Sequence, residues 1–222
     1  QRWANVAGIG LAAQGGSACI CNAETGQPQT PMQLWNDMRC RPYLKQITKG
    51  RSASYWRRRL LRDAPGHGLG RMLWYREHHP ELLAEENIYS GAGELCFHQL
   101  TGCWRQDSGS AHQQGAYNAV KRELDQDLLE LVGLPLSFVA PLCPGHQTAA
   151  LSDAASKELR LPAGLPVVGP YMDHEAGFMG VLNRSGNVMQ CSLGTAWVAN
   201  YTMPAKAKWE SSVQIVLPSL TD

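Results

Sequence analysis

Residues 167–181 read VVGPYMDHEAGFMGV. An apolar segment runs into one acidic residue, Asp173, and then into small and apolar residues, the pattern of a buried strand giving way to a helix. A charge at such a junction must be capped, solvated or used. Taken alone, the stretch leaves two readings open: an Asp that caps a helix starting near His174, or a carboxylate held ready for chemistry.

Working outward, PVVGPYM (166–172) and NVMQCSLGTAWVANYT (187–202) are short, rich in Val and Gly, and read as strands with tight turns. At the other end, VAGIGLAA (6–13) and SACICNA (17–23) read as two strands forming a small opening sheet. The second leads through the Gly- and Pro-punctuated ETGQPQTP (24–31) to MQLW. Between about residues 40 and 133 the period changes. Leu69, Met72, Leu73, Tyr75 and Arg76, then Leu82 and Leu83, then Leu124, Leu128, Leu129, Leu131 and Val132 fall at helical spacing, the last group ended by Gly133. Strands, then helices, then strands predict an α/β fold, or an α+β fold with its helices grouped. There is no internal repeat and no low-complexity tract.

At 222 residues, 44% hydrophobic and 18% charged, the chain can bury a sizeable core as one domain or two small ones. A formal charge of +1 supplies no general attraction for nucleic acid or an anionic membrane. Seven scattered cysteines, an odd number in a chain too large to need staples, predict free thiols and a cytoplasmic, reducing compartment. No apolar run approaches the roughly 20 residues that span a bilayer, and no leader pattern opens the chain, so neither secretion nor membrane insertion is expected. Gln1 falls just ahead of a strand, and SLTD follows soon after a new strand pattern, VQIVLP, has begun. The organisation expected is that of an excerpt.

SLGTAWV (192–198) places Gly194 and Thr195 in a turn between two strands. Such a turn can cradle phosphate with its backbone N–H groups and a hydroxyl, or be an ordinary hairpin with Gly at positive φ. The pairing with Asp173, about 20 residues away on a neighbouring strand end, favours use. A carboxylate that takes a proton from a hydroxyl, facing a turn that holds the phosphate to be transferred, is the minimal equipment of a kinase acting on an alcohol. Other features read as structural. In SYWRRRLLRD (54–63), Trp56, Leu60 and Leu61 form an apolar stripe with Arg opposite, so a solvated face is expected rather than a nucleic-acid patch. His78, His79, Cys96, His98 and Cys103 lack paired zinc-ligand spacing, and ELDQDLLELVG (123–133) carries acids outward and leucines inward.

Four segments resemble the FGGY carbohydrate kinases, in order and at the family's spacing: GIGLAAQGGSACICNAETGQPQTPMQLWNDMR (8–39), GRMLWYREHHPELLAEENIYSGAGELCFHQLTG (70–102), LPAGLPVVGPYMDHEAGFMG (161–180) and CSLGTAW (191–197). The resemblance implies an actin-like, ribonuclease H-like α/β fold, with ATP and Mg2+ as cofactors and a sugar or polyol as substrate. It implies no nucleic-acid or membrane partner and is compatible with a homodimer. Residues 1–190 would be part of the N-terminal sugar-binding domain, without the family's opening strand and Asp-x-Gly-Thr turn. Residues 191–222 would begin the nucleotide-binding domain.

Residue by residue, the resemblance makes Asp173 the general base and Gly194 and Thr195 the phosphate turn. It puts Gln14, Gly15, Gly16, Trp35, Asn36 and His174 at the sugar site. Asp107, in RQDSGSAH, falls where the family usually has Thr-Asp-x-Ser-x-Ala-Ser. It is a further candidate ligand contact, with Ala111 kept and Gln106, Gly109 and His112 at the flanking hydroxyl positions. Two glycines where relatives carry bulkier residues predict a wider, less polar wall, and thus a linear ketose or polyol of about five to seven carbons over glycerol. The alternative is a sugar-binding or regulatory protein on the same scaffold that has lost phosphoryl transfer.

Overall fold

The structure is a computed structural model, and it describes residues 2–182, 188–194 and 197–202. In chain order the elements are β1 (Ile9–Ala13), β2 (Ala18–Asn22), α1 (Arg41–Thr48), α2 (Ala53–Leu60), α3 (His67–His78), β3 (Asn87–Gly91), α4 (Ala92–Thr101), α5 (Ser108–Gln114), β4 (Tyr117–Asn118), β5 (Glu123–Leu124) and α6 (Gln126–Glu130). There follow β6 (Ala149–Ala150), α7 (Asp153–Leu159), β7 (Pro166–Met172), α8 (Asp173–Leu182), β8 (Met189–Leu193) and β9 (Trp197–Tyr201). The α/β character expected from the pattern is present, and the change from strand to helix falls between Met172 and Asp173.

The small opening sheet does not form. β1 pairs in parallel with β7, which carries β6 antiparallel on its other edge, while β2 pairs antiparallel with β3. The loop Gln14–Ser17, with Gly16 at φ +74°, carries the chain out of one sheet and into another instead of folding it back. β3 lies inside the region that reads as helical. Its residues, Asn-Ile-Tyr-Ser-Gly, are all buried, and Gly91 ends the strand and opens α4.

The larger core packs Trp56 and Leu60 of α2, Leu69, Met72 and Tyr75 of α3, and Leu128 and Leu129 of α6 against Ile20 and Tyr89. Each such side chain contributes roughly 1.5–3 kcal/mol by leaving water. Trp56 and Leu60 are the stripe expected of α2, whereas Leu61 ends that helix in the left-handed conformation. The opposite face is solvated and paired: Arg57 meets Asp63 at 2.5 Å, and Arg59 lies over the Tyr55 ring. A second core joins Phe97 of α4, Ala155 of α7 and Val167 of β7 with Ile9 and Leu11 of β1, and so anchors the parallel strand pair.

That pair contains a bulge. Gly10 stands opposite Val168 but Ala12 opposite Tyr171, so β7 spends one extra residue around Gly169 and Pro170. Gly169 has φ +100°, and a Cβ there would collide with the Leu11 carbonyl. Both backbone groups of Gly169 are bonded: its N–H donates to Gly145 O at 2.8 Å, and the buried Arg105 Nε donates to Gly169 O at 2.6 Å.

Candidate active site

Beyond the bulge, Ala13 pairs with Met172, so the next residues, Gln14 and Asp173, leave the carboxyl ends of adjacent parallel strands side by side. Open α/β sheets bind ligands at such ends. Asp173 is exposed and is the first residue of α8, where the helix dipole favours a carboxylate; its Oδ1 accepts from His174 N at 2.9 Å. His174 is half-buried, and its carbonyl accepts from Asn200 Nδ2 of β9 at 3.4 Å, which ties the β8–β9 hairpin to α8.

Two loops form the opposing wall. Gln14 is exposed, and its Oε1 accepts from Ser17 Oγ at 2.7 Å; that same hydroxyl accepts from Trp35 N at 3.0 Å. Trp35 is 37% exposed and Asn36 is exposed beside it. The two glycines do not widen this wall as expected. A Cβ at Gly15 would run into Met172 Sδ and Cγ, so the side chain missing there is replaced by Met172. Gly16 answers a backbone need, since its positive φ disfavours any other residue.

Beneath Asp173 lie three buried carboxyl groups, Glu94 (1% exposed), Asp107 (2%) and Glu175 (5%). They belong to the first turns of α4 and α8 and to the N-cap of α5, so three helix N-termini converge there. Asp107 Oδ1 accepts from Ser110 N at 2.7 Å, so the residue suggested as a ligand contact is a buried cap. Glu175 fits because residue 109 is Gly; a Cβ at that position would overlap its carboxyl oxygens. Burial pushes Glu94 up to about 7, reinforced by Asp107. Burial also raises Asp107, and it raises Glu175 well above the ordinary carboxylate range, with Asp107 and Asp173 adding to the effect. Among the described residues no group of three or more His, Cys, Asp and Glu side chains is placed to hold a metal ion.

Gly194 sits at the exposed tip of the β8–β9 hairpin, and a Cβ added there would meet nothing within 4 Å, room enough for a ligand to approach the backbone. Thr195 lies outside the described residues. One face of the hairpin, with Met189, Leu193, Trp197 and Tyr201, is apolar and exposed. The expected domain boundary after residue 190 falls inside β8.

Several residues that build this region are not evident from motif reading: Ser17, Arg71, Glu94, Met172 and Glu175. Arg71 alone carried a signal, a cation within the apolar stripe of α3.

The chain superposes over most of its length on solved xylulose and glycerol kinases, which makes the fold that of the actin-like, ribonuclease H-like class. The pattern described as the FGGY family of carbohydrate kinases, N-terminal domain, matches residues 2–180. The chain belongs to that family. It is 27% identical over 113 residues to an L-fuculokinase of Escherichia coli, covering 50% of this chain and 24% of that protein. It is 28% identical over 174 residues to a xylulose kinase of Streptomyces rubiginosus, covering 77% and 36%. A glycerol kinase of Plasmodium falciparum, solved with ADP, superposes with a TM-score of 0.78 at 13% identity, over 87% of this chain and 39% of that one. The chain thus spans well under half the length of each of these relatives.

Proposed function

We propose that this chain is the sugar-binding part of an ATP-dependent kinase that phosphorylates a hydroxyl of a sugar or polyol. The observation that carries the reading is the exposed Asp173 at the carboxyl end of β7, level with Gln14 on the adjacent parallel strand. In this reading the Asp173 carboxylate accepts the proton of the sugar hydroxyl as its oxygen attacks the γ-phosphorus of ATP, and ADP leaves with the bridging oxygen. Gln14, Trp35, Asn36 and His174 hold the sugar, Gly15 and Gly16 set the path of the wall, and Asp107 supports it from below. Gly194 and Thr195 meet the ATP phosphates. Residues 1–190 then belong to the sugar domain and 191–222 begin a nucleotide domain, whose further strands would cover the apolar hairpin face. All seven cysteines are free, which suits a cytoplasmic setting.

The relatives' names, a fuculokinase, a xylulose kinase and a glycerol kinase, span sugars and a smaller polyol without choosing between them, and the glycines no longer support a widened site. In the full-length protein, Asp173→Asn should leave sugar binding nearly intact and lower kcat by about two to four orders of magnitude. Near-normal turnover would remove Asp173 from the mechanism. A wild-type protein that binds sugar and ATP without releasing ADP would establish the inactive alternative.

A further inference from the structure

Arg71 lies on α3 between buried Leu69, Met72 and Leu73, and is itself only 1% exposed. A guanidinium in an apolar stripe must find strong partners. Its two terminal nitrogens find main-chain carbonyls on different loops: Nη1 donates to Gly16 O, and Nη2 donates to Leu34 O at 2.6 Å. Gly16 ends the segment that begins with Gln14, and Leu34 immediately precedes Trp35 and Asn36. We infer that Arg71 is the positioning residue of the sugar wall, a buried clamp that sets the spacing between the Gln14 loop and the Trp35 loop.

The clamp answers a weakness of both loops. Gly15 and Gly16 have no side chains with which to anchor their segment, and glycine leaves the backbone many alternatives. On the other loop Leu34, Trp35 and Met38 are exposed, so apolar burial does not hold it either. Neutral hydrogen bonds also link the two loops, through the Ser17 hydroxyl and through the backbone pair Ala18 N to Gln33 O at 3.0 Å and Gln33 N to Ala18 O at 2.8 Å. Arg71 adds charge-assisted ones from a planar fork, which fix direction as well as distance. An ammonium group is a single point and cannot reproduce both arms of the fork in one geometry. The buried Tyr89 phenol and Cys40 thiol stand beside the guanidinium and close its pocket away from water.

The functional half of this inference rests on the kinase reading, so its test has one arm that does not. In the full-length protein, Arg71→Met and Arg71→Lys are compared with wild type by hydrogen exchange and by kinetics. Exchange at residues 14–18 and 33–37 should rise together, about tenfold in Arg71→Met and less in Arg71→Lys, while amides 72–78 within α3 hold. The KM for the sugar should rise on the order of tenfold, with the KM for ATP changed by less than about twofold and kcat falling less than the sugar KM rises. Unchanged loop exchange, or equal loosening of α3 and the loops, would overturn the clamp. Loosened loops with an unchanged sugar KM, or equal rises in both KM values, would overturn the positioning role. Should Arg71→Met fail to fold, Arg71→Lys decides. If the wild type phosphorylates no sugar, the kinase reading fails while the exchange arm still decides whether Arg71 joins the loops.

Discussion

Replacing Glu94 by Gln should make the protein more stable at pH 8 and change little at pH 5. Glu94 sits in the first turn of α4, fully buried, with its carboxyl group against the Gly91 N–H, the Ser110 hydroxyl nearby and Asp107 facing it. Burial lifts it from 4.5 to about 7. Below pH 4.5 the folded and unfolded chains both hold the proton, and the residue adds no pH dependence. Between pH 4.5 and about 7 the folded state keeps a proton that the unfolded chain releases, so stability falls as pH rises. Above about 7 the penalty is complete, at about 3 kcal/mol. Gln keeps an acceptor for Gly91 N–H, gains donors toward Asp107 and has no charge to bury. The unfolding temperature of the full-length protein and of Glu94→Gln, followed from pH 5 to 8, should therefore diverge in favour of the variant by roughly 2–4 °C for each kcal/mol. His112, which burial lowers to about 3, destabilises the fold as pH drops below 6.5, but it does so in both proteins and cancels in the difference. A difference that is flat with pH, or that grows toward acid, would refute the account of Glu94.

Three further substitutions probe the frame of the site. Gly169→Ala forces a Cβ into the Leu11 carbonyl at a positive φ and should cost about 2–4 kcal/mol in urea unfolding; wild-type stability would mean that the bulge relaxes freely. Gly15→Ala should displace Met172 and raise the sugar KM several-fold with little change for ATP, and identical constants for both proteins would deny Met172 a part in the wall. Ser17→Ala removes the link from Gln14 to the Trp35 N–H and should cost about 1–3 kcal/mol, which the same unfolding experiment would detect or exclude.

The strand-to-helix junction at Asp173 was legible because an apolar run stops at a charge, and the β8–β9 hairpin because short Val-rich segments flank Gly194. Strand partners were not legible. Periodicity says that residues 9–13 and 18–22 are extended, but whether they pair with each other or with distant segments depends on where the intervening loop points. β3 was hidden by helical spacing on both sides of a five-residue strand. Of the acidic groups under Asp173, Glu94 and Glu175 look like ordinary first-turn residues in sequence, and Asp107 reads as a ligand contact, not as the buried cap it is. Only packing brings Glu94, Asp107 and Glu175 together. The glycines at 15 and 16 read as missing side chains, while their reasons lie in Met172 and in a backbone angle.

The extra residue in β7 has a consequence for how relatives can diverge in length. From Gly10 to Ala12 the first strand advances two residues while the seventh advances three, from Val168 to Tyr171. Deleting one residue at 169 or 170 would not trim a loop. It would leave two residues facing two, so that Ala12 still meets Tyr171 and Ala13 still meets Met172, and the ladder would run regularly to the strand end that leads into Asp173. A homologue that lost this residue could therefore keep its carboxylate beside Gln14 with no change of length in the first strand. Gaps here should come singly when sequences of functional relatives are aligned, and together with changes at Arg105 or Gly145, whose bonds to Gly169 the deletion removes.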